Sequence, residues 1–206
     1  MIRNAEAMSV APITIRPMTR ADVAPVVALQ VAFLEGSIVT ELGQGFLQRF
    51  HSAGLRQPAT VAYVACDQNG AVVGFVMTSL DVHAFNSYVK PRVLPALVLS
   101  LLDPRRWRLL PSVVRGVAEG EPAPYVPAEL LLLVVDSRAR RRRIGQRLLT
   151  ELERALAGHD VRQYRVAVRS HLDVARAFYR ALGFEPEQEL SVLGHPMTYL
   201  IKRIAL

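Results

Sequence analysis

Apolar and polar positions follow two different periods along the chain, and the switches between them mark the elements. ITIRP at 13–17 alternates as a short strand. Thr19-Arg20-Ala21-Asp22 has capping-box form, and apolar positions at Val23, Val26, Val27 and Phe33 continue as one face of a helix. A second helix is expected over ELGQGFLQRFH at 41–51, weakened by its two glycines. TVAYVAC at 60–66 and AVVGFVMTSL at 71–80 are β-branched runs joined by Asp67-Gln68-Asn69-Gly70. An Asn-Gly corner between such runs predicts a hairpin.

Between 81 and 125 the rhythm is lost. Pro91, Pro95, Pro104, Pro111, Pro122 and Pro124 punctuate two leucine-rich basic segments, VLPALVLSLLD and WRLLPSVVRG, read as an insertion of short helices. Two placements compete for it: on an anionic membrane surface, or as a cover for the acceptor side of a cleft or a contact in a homodimer. The prolines favour the second, because they keep each helix short and break a lipid-facing stripe. No stable membrane insertion is expected.

The pattern becomes regular again from 128. AELLLLVVD at 128–136 reads as a strand, followed by a helix with Ile144, Leu148, Leu152 and Leu156 at four-residue spacing. VRQYRVAV at 161–168 is the next strand. Ser170-His171-Leu172-Asp173 again has capping-box form and opens a helix with Ala175, Phe178 and Leu182 as its apolar stripe, ended by Gly183. Two last strands fit near 184–192 and 196–204.

Composition narrows the class. Of the 206 residues, 51% are hydrophobic, enough for a real core in one domain. The single cysteine, Cys66, excludes an internal disulfide and a multi-cysteine zinc site, and its place in VAYVAC makes it a core residue. His51, His83, His159, His171 and His195 show no metal spacing; they are read as surface or loop residues, and no metal is expected. Residues 1–10 lack the apolar core of a signal peptide and read as a loose leader to a single domain over 11–206. No apolar run reaches the roughly 18 residues of a membrane span, so a cytoplasmic protein is the default.

The formal charge of +7 is a local device. Six arginines fall within ten residues: Arg138, Arg140, Arg141, Arg142, Arg143 and Arg147. Arg105, Arg106, Arg108 and Arg115 form a second, looser group. The run RRRRIGQ at 140–146 stands between a strand and a helix. A helix N-terminus presents unpaired N–H groups and about half a positive charge, so it favours a phosphate, and flanking arginines add charge-assisted bonds. A solvated basic face or a nucleic-acid patch is the alternative. The buried strand before it and the amphipathic helix after it favour phosphate capture, with no nucleic-acid partner.

Arg140-Arg141-Arg142-Arg143-Ile144-Gly145 resembles the acyl-CoA motif of the GNAT superfamily, Arg/Gln-x-x-Gly-x-Gly/Ala, in two of its three defining places. AFYRALGF at 177–184 resembles the family's second conserved block, whose tyrosine, here Tyr179, usually faces the coenzyme sulfur. The resemblance covers about 150 residues in the family's element order. It implies an α/β (α+β) fold with a central mixed, mostly antiparallel twisted sheet flanked by helices, interrupted by the 81–125 insertion. Two positions depart from the pattern. Arg143 replaces the motif's first glycine and is read as part of the first helical turn, pointing outward to a phosphate. Leu172 stands where the family often has an asparagine that contacts the coenzyme.

The resemblance further implies acetyl-CoA as co-substrate, held at Arg140 to Gln146, and an N-acetyltransferase acting on a primary amine. The acceptor is expected to be a small molecule or amino sugar. A backbone N–H near Val134 or Val135 would polarise the thioester carbonyl, Tyr179 would protonate the departing thiolate, and Glu129 would serve as base. The plainer readings are a solvated carboxylate for Glu129 and a core aromatic for Tyr179. A degenerate fold that binds acyl-CoA or a partner without turnover, and an arginine-driven nucleic-acid binder, are the competing functions.

Overall fold

The computed structural model describes residues 12–34, 37–118, 126–139, 142–192 and 194–204; the leader at 1–10 lies outside them. β1 (Thr14–Pro17) leads to α1 (Val23–Phe33), α2 (Ile38–Glu41) and α3 (Gln44–Gly54). Asp22 makes the first corner. Its carboxylate takes the N–H and the hydroxyl of Thr19, each at 2.8 Å, and a paired contact from the Arg16 guanidinium. The expected helix over 41–51 is two helices, because Gly43 has φ 92° and turns the chain between them.

β2 (Thr60–Cys66) and β3 (Val72–Ser79) form the expected hairpin, with Gly70 at φ 77° in its corner. Then come α4 (Val82–Leu101), a short 3₁₀ turn at Pro104–Leu109, and α5 (Leu110–Ala118). The insertion is thus one 20-residue helix and a shorter one, where two short helices were expected. Pro91 and Pro95 lie inside α4 on its exposed side, where water can reach the carbonyls their missing N–H groups leave free. β4 (Glu129–Val135), α6 (Ile144–Gly158), β5 (Gln163–Arg169), α7 (Asp173–Ala181), β6 (Glu185–Val192) and β7 (His195–Arg203) complete the chain.

The seven strands form one sheet in the order β1-β2-β3-β4-β5-β7-β6, antiparallel throughout except for the β4–β5 pair. On one face, α6 buries Ile144, Leu148, Leu149, Leu152 and Leu156 against Val76, Leu130, Val166 and Leu200 of the strands. Each such side chain contributes about 1.5–3 kcal/mol relative to exposure. On the other face α1 and α3 cover Phe75, Met77 and Val134, and Cys66 is buried in that cluster. α4 adds an outer layer by burying Phe85, Val89, Val93 and Ala96 against Phe46 and Ala53 of α3.

His51 departs from its surface reading. It is buried on α3, with Nε2 2.7 Å from Gln30 Oε1 and its ring edge-on to Phe50 and Phe75. Desolvation lowers its pKa to about 4, so the imidazole is neutral in the folded chain. His83, His159 and His171 are exposed, and His195 is half-buried.

Candidate active site

Among the described residues, five of the six junctions between neighbouring strands are paired along most of their length, and one is not. β4 and β5 pair only at Glu129–Arg165 and Leu130–Val166, although β4 runs on to Val135 and β5 to Arg169. Beyond Leu130 the two parallel strands diverge. Their facing backbone groups find no partner strand, which leaves a polar-edged slot inside the sheet. A bulge at Leu131, where β3 pairs Met77 with Leu132 and Thr78 with Leu130, twists β4 at the start of that divergence.

α6 is the crossover that a parallel pair requires, so it runs back along β4. Its C-terminal half closes the paired end: Glu153 accepts the Tyr164 hydroxyl and the Lys202 ammonium, each at 2.6 Å. Its N-terminus stands at the open end. A Cβ on Gly145 would come within 3.1 Å of the Phe178 ring and 3.8 Å of Val135, so glycine lets α6 start hard against both α7 and β4.

The arginines of this end divide by partner. Arg138 grips Asp136, with Nη2 2.7 Å from Oδ2, and this hydrogen bond holds the Asp136 carboxyl below the ordinary range. Arg147 reaches back to the Ile13 carbonyl at 2.8 Å. Arg142 is different: its Nε and Nη2 are buried and have no hydrogen-bond partner. A guanidinium edge covered and short of acceptors beside a helix N-terminus favours an anion. Arg140 and Arg141 lie outside the described residues.

Arg143 is not in the first helical turn. It is the N-cap of α6 with φ 54°, a left-handed conformation that costs a non-glycine residue on the order of 1 kcal/mol. The glycine of the motif therefore answers to backbone geometry, and arginine adopts it under strain. Its side chain is exposed, as is that of Gln146; Ile144 is buried in the core behind.

α7 begins one residue after Leu172, which is an exposed N-cap without a side-chain bond. The expected capping box at Ser170 does not form, because the Ser170 hydroxyl pairs with Thr198 at 3.0 Å on β7. Tyr179 sits edge-on between Phe178 and Phe184 in the core that also holds Val166 and Val168. Burial pushes its phenol well above the ordinary value, so it is protonated at neutral pH. Val134 is buried toward α1 and Val135 faces α6, both on the diverging part of β4.

Glu129 lies at the apex where the strands part. Its Oε2 accepts from Arg165 Nε at 2.8 Å, and the Arg165 guanidinium lies 4.7 Å from the Tyr199 ring. Arg165 is almost fully buried, and its Nη1 has no partner. The sequence reading missed Arg165. Its signal was a lone charge between Tyr164 and Val166 in an apolar strand, which demands a buried counter-charge.

A mixed sheet thus opens between its two parallel strands, with a helix start and its arginines at the mouth. The Acetyltransferase (GNAT) family model matches residues 35–184, and the chain belongs to that family and is an acyltransferase. Solved structures repeat the fold at low identity. The PaiA N-acetyltransferase of Thermoplasma acidophilum in complex with coenzyme A is 13% identical, with a TM-score of 0.60, over 93% of this chain and 99% of that one. The phosphinothricin acetyltransferase of Sinorhizobium meliloti in complex with AcCoA is 17% identical, TM-score 0.61, over 94% and 89%. The ribosomal-protein-alanine N-acetyltransferase of Brucella melitensis is 17% identical, TM-score 0.60, over 92% and 99%. No curated protein matches the chain.

Proposed function

We propose that the enzyme transfers an acetyl group from acetyl-CoA to the primary amine of a small molecule or amino sugar. The observation that carries the coenzyme half of this reading is the buried, partnerless guanidinium edge of Arg142 at the start of α6, beside the slot between β4 and β5. These groups fit a diphosphate attached to an extended chain. Acetyl-CoA supplies the activated acyl group. Arg142 and the first N–H groups of α6, from Ile144, Gly145 and Gln146, would hold the diphosphate, with Arg140, Arg141 and Arg143 around it. Backbone N–H groups at Val134 and Val135 would polarise the thioester carbonyl. Leu172 would offer only an apolar contact.

A lysine-like amine is about 0.1% neutral at pH 7.4, which withholds roughly 4 kcal/mol of nucleophile. Glu129, held by Arg165 at the paired end of β4 and five residues, roughly 17 Å, from Val134, would act as base only through a chain of waters along the slot. Tyr179, kept protonated by burial, would return a proton to the thiolate. A small acceptor is favoured because α4 adds a second layer over α3, on the sheet face opposite α6, which narrows the approach from that side. The test is free-thiol release with acetyl-CoA across a panel of small amines, amino sugars and lysine peptides. Release with peptides alone would overturn the small acceptor; coenzyme-dependent stabilisation without any release would make the protein a binding module.

A further inference from the structure

We propose that the outer face of α4 and α5 docks on an anionic lipid bilayer. α4 turns Val82, Phe85, Val89, Val93, Ala96 and Ser100 inward. On the opposite side its C-terminal half carries no charge: Pro91, Leu94, Pro95, Val98 and Leu102 form a line about 16 Å long. Leu94, Val98 and Leu102 are 55%, 56% and 71% exposed, and Trp107 and Val114 beyond the turn are 58% and 62% exposed. Exposed aliphatic groups in such a line form an apolar patch of the kind that meets a membrane or a partner.

Charge supplies the second argument. Residues 82–118 contain six basic side chains, Lys90, Arg92, Arg105, Arg106, Arg108 and Arg115, against one acid, Asp103. Lys90 and Arg92 stand at one end of the apolar line, and Arg105 and Arg108 at the other, where Arg108 also pairs with Glu41 of α2 at 3.1 Å; the face stays net basic. A second copy meeting this face across a two-fold axis would set like charge against like. An anionic membrane satisfies both the apolar line and its basic ends, each cation near such a surface adding to binding. The indole N–H of Trp107 is already bonded to the Leu101 carbonyl at 3.0 Å, so its ring can enter the headgroup layer without an unmet donor. The 20-residue length of α4 removes the expected objection that short helices bury too little. No helix of the described residues is long and apolar enough to cross a membrane, so the contact is peripheral.

Trp107 is the chain's one tryptophan, and its emission reads the contact directly. Mixing the intact protein with phosphatidylglycerol-containing vesicles should shift that emission to the blue and carry the protein into the pellet. Pure phosphatidylcholine vesicles should do neither. Val98→Glu with Leu102→Glu, both at exposed positions, should lower partitioning at least tenfold with the melting temperature retained. Arg142→Gln with Arg143→Gln should leave it within twofold. Equal binding to both vesicle types, or undiminished binding by the Val98/Leu102 variant, would overturn the proposal. So would a dimer in vesicle-free solution that the same variant dissociates, or a blue shift produced by poly-glutamate and not by lipid.

Discussion

The two faces of the sheet handle charge in opposite ways. On the α6 face the cations converge on one point: half-buried Arg142 has Nε and Nη2 covered and short of acceptors, and Arg143 is strained, both at a helix N-terminus. On the α1–α3–α4 face the buried polar group His51 is kept neutral, and the basic side chains are moved outward to the ends of an apolar line. Arginine count alone does not distinguish these regions. What lies between the charges does: backbone N–H groups in one case, leucine and valine in the other. As proposed, the first arrangement would recognise a compact anion, and the second an extended anionic surface.

The sharpest break of this contrast is charge reversal on the α6 face. Arg142→Glu with Arg143→Glu should lower kcat/KM for acetyl-CoA by about 1,000-fold, roughly 4 kcal/mol. It should also abolish the rise in melting temperature that coenzyme A produces through linkage. A retained thermal shift would put the coenzyme elsewhere. Tyr179→Phe tests the same face at its chemical end. Packing is preserved while the proton donor is lost, so turnover should fall about 10–1,000-fold with coenzyme affinity little changed. Near-normal turnover would give the proton to water.

On the opposite face the expected effect is on stability. His51 has a folded pKa of about 4 and an ordinary unfolded value near 6.5. Between these limits the unfolded chain binds the proton and the folded one does not. The neutral, buried state is therefore fully supported above about pH 6.5, and support is lost as pH falls toward 4, by up to roughly 3 kcal/mol. Denaturant titrations at pH 7 and pH 4.5 should show this, and His51→Gln should lose less over the same interval. An equal loss in that variant would assign the acid sensitivity to other groups. The smallest effect belongs to Arg143→Gly. Relief of the left-handed conformation should raise stability by about 1 kcal/mol while weakening coenzyme binding. A fall in stability would mean that the Arg143 side chain contributes contacts worth more than the strain.

Much of the sheet was legible because its strands are β-branched and its corners carry Asn-Gly or glycine. The helix stripe from Ile144 to Leu156 was legible because period 3.6 survives in a buried face. The prolines of α4 predict short helices, yet proline breaks a helix only where the lost hydrogen bond cannot be replaced, and Pro91 and Pro95 face solvent. The start of α7 was misplaced because Ser170 finds a partner on β7, which local sequence does not report. The left-handed φ of Arg143 is not legible, because φ at a single position is set by the strand and helix it joins. The candidate site was half legible: motif positions fall on the α6 start, whereas the Glu129–Arg165 pair joins residues 36 apart in the chain.

The short β4–β5 pairing has a mechanical consequence. With two residue pairs in register, the sheet divides into two plates, β1 to β4 and β5 to β7, joined edge to edge at Glu129 and Leu130 and otherwise through the core under α6, so that a hinge line between them would run through that pair. Val135 lies about five residues, roughly 17 Å, from the hinge line. A rotation of about 5° between the plates therefore moves it by roughly 1.5 Å, enough to change whether a backbone N–H reaches a bound oxygen. Glu153 clamps the hinge end through Tyr164 and Lys202, so the compliance is confined to the mouth. Small displacements at the closed end are magnified where the acyl group would lie.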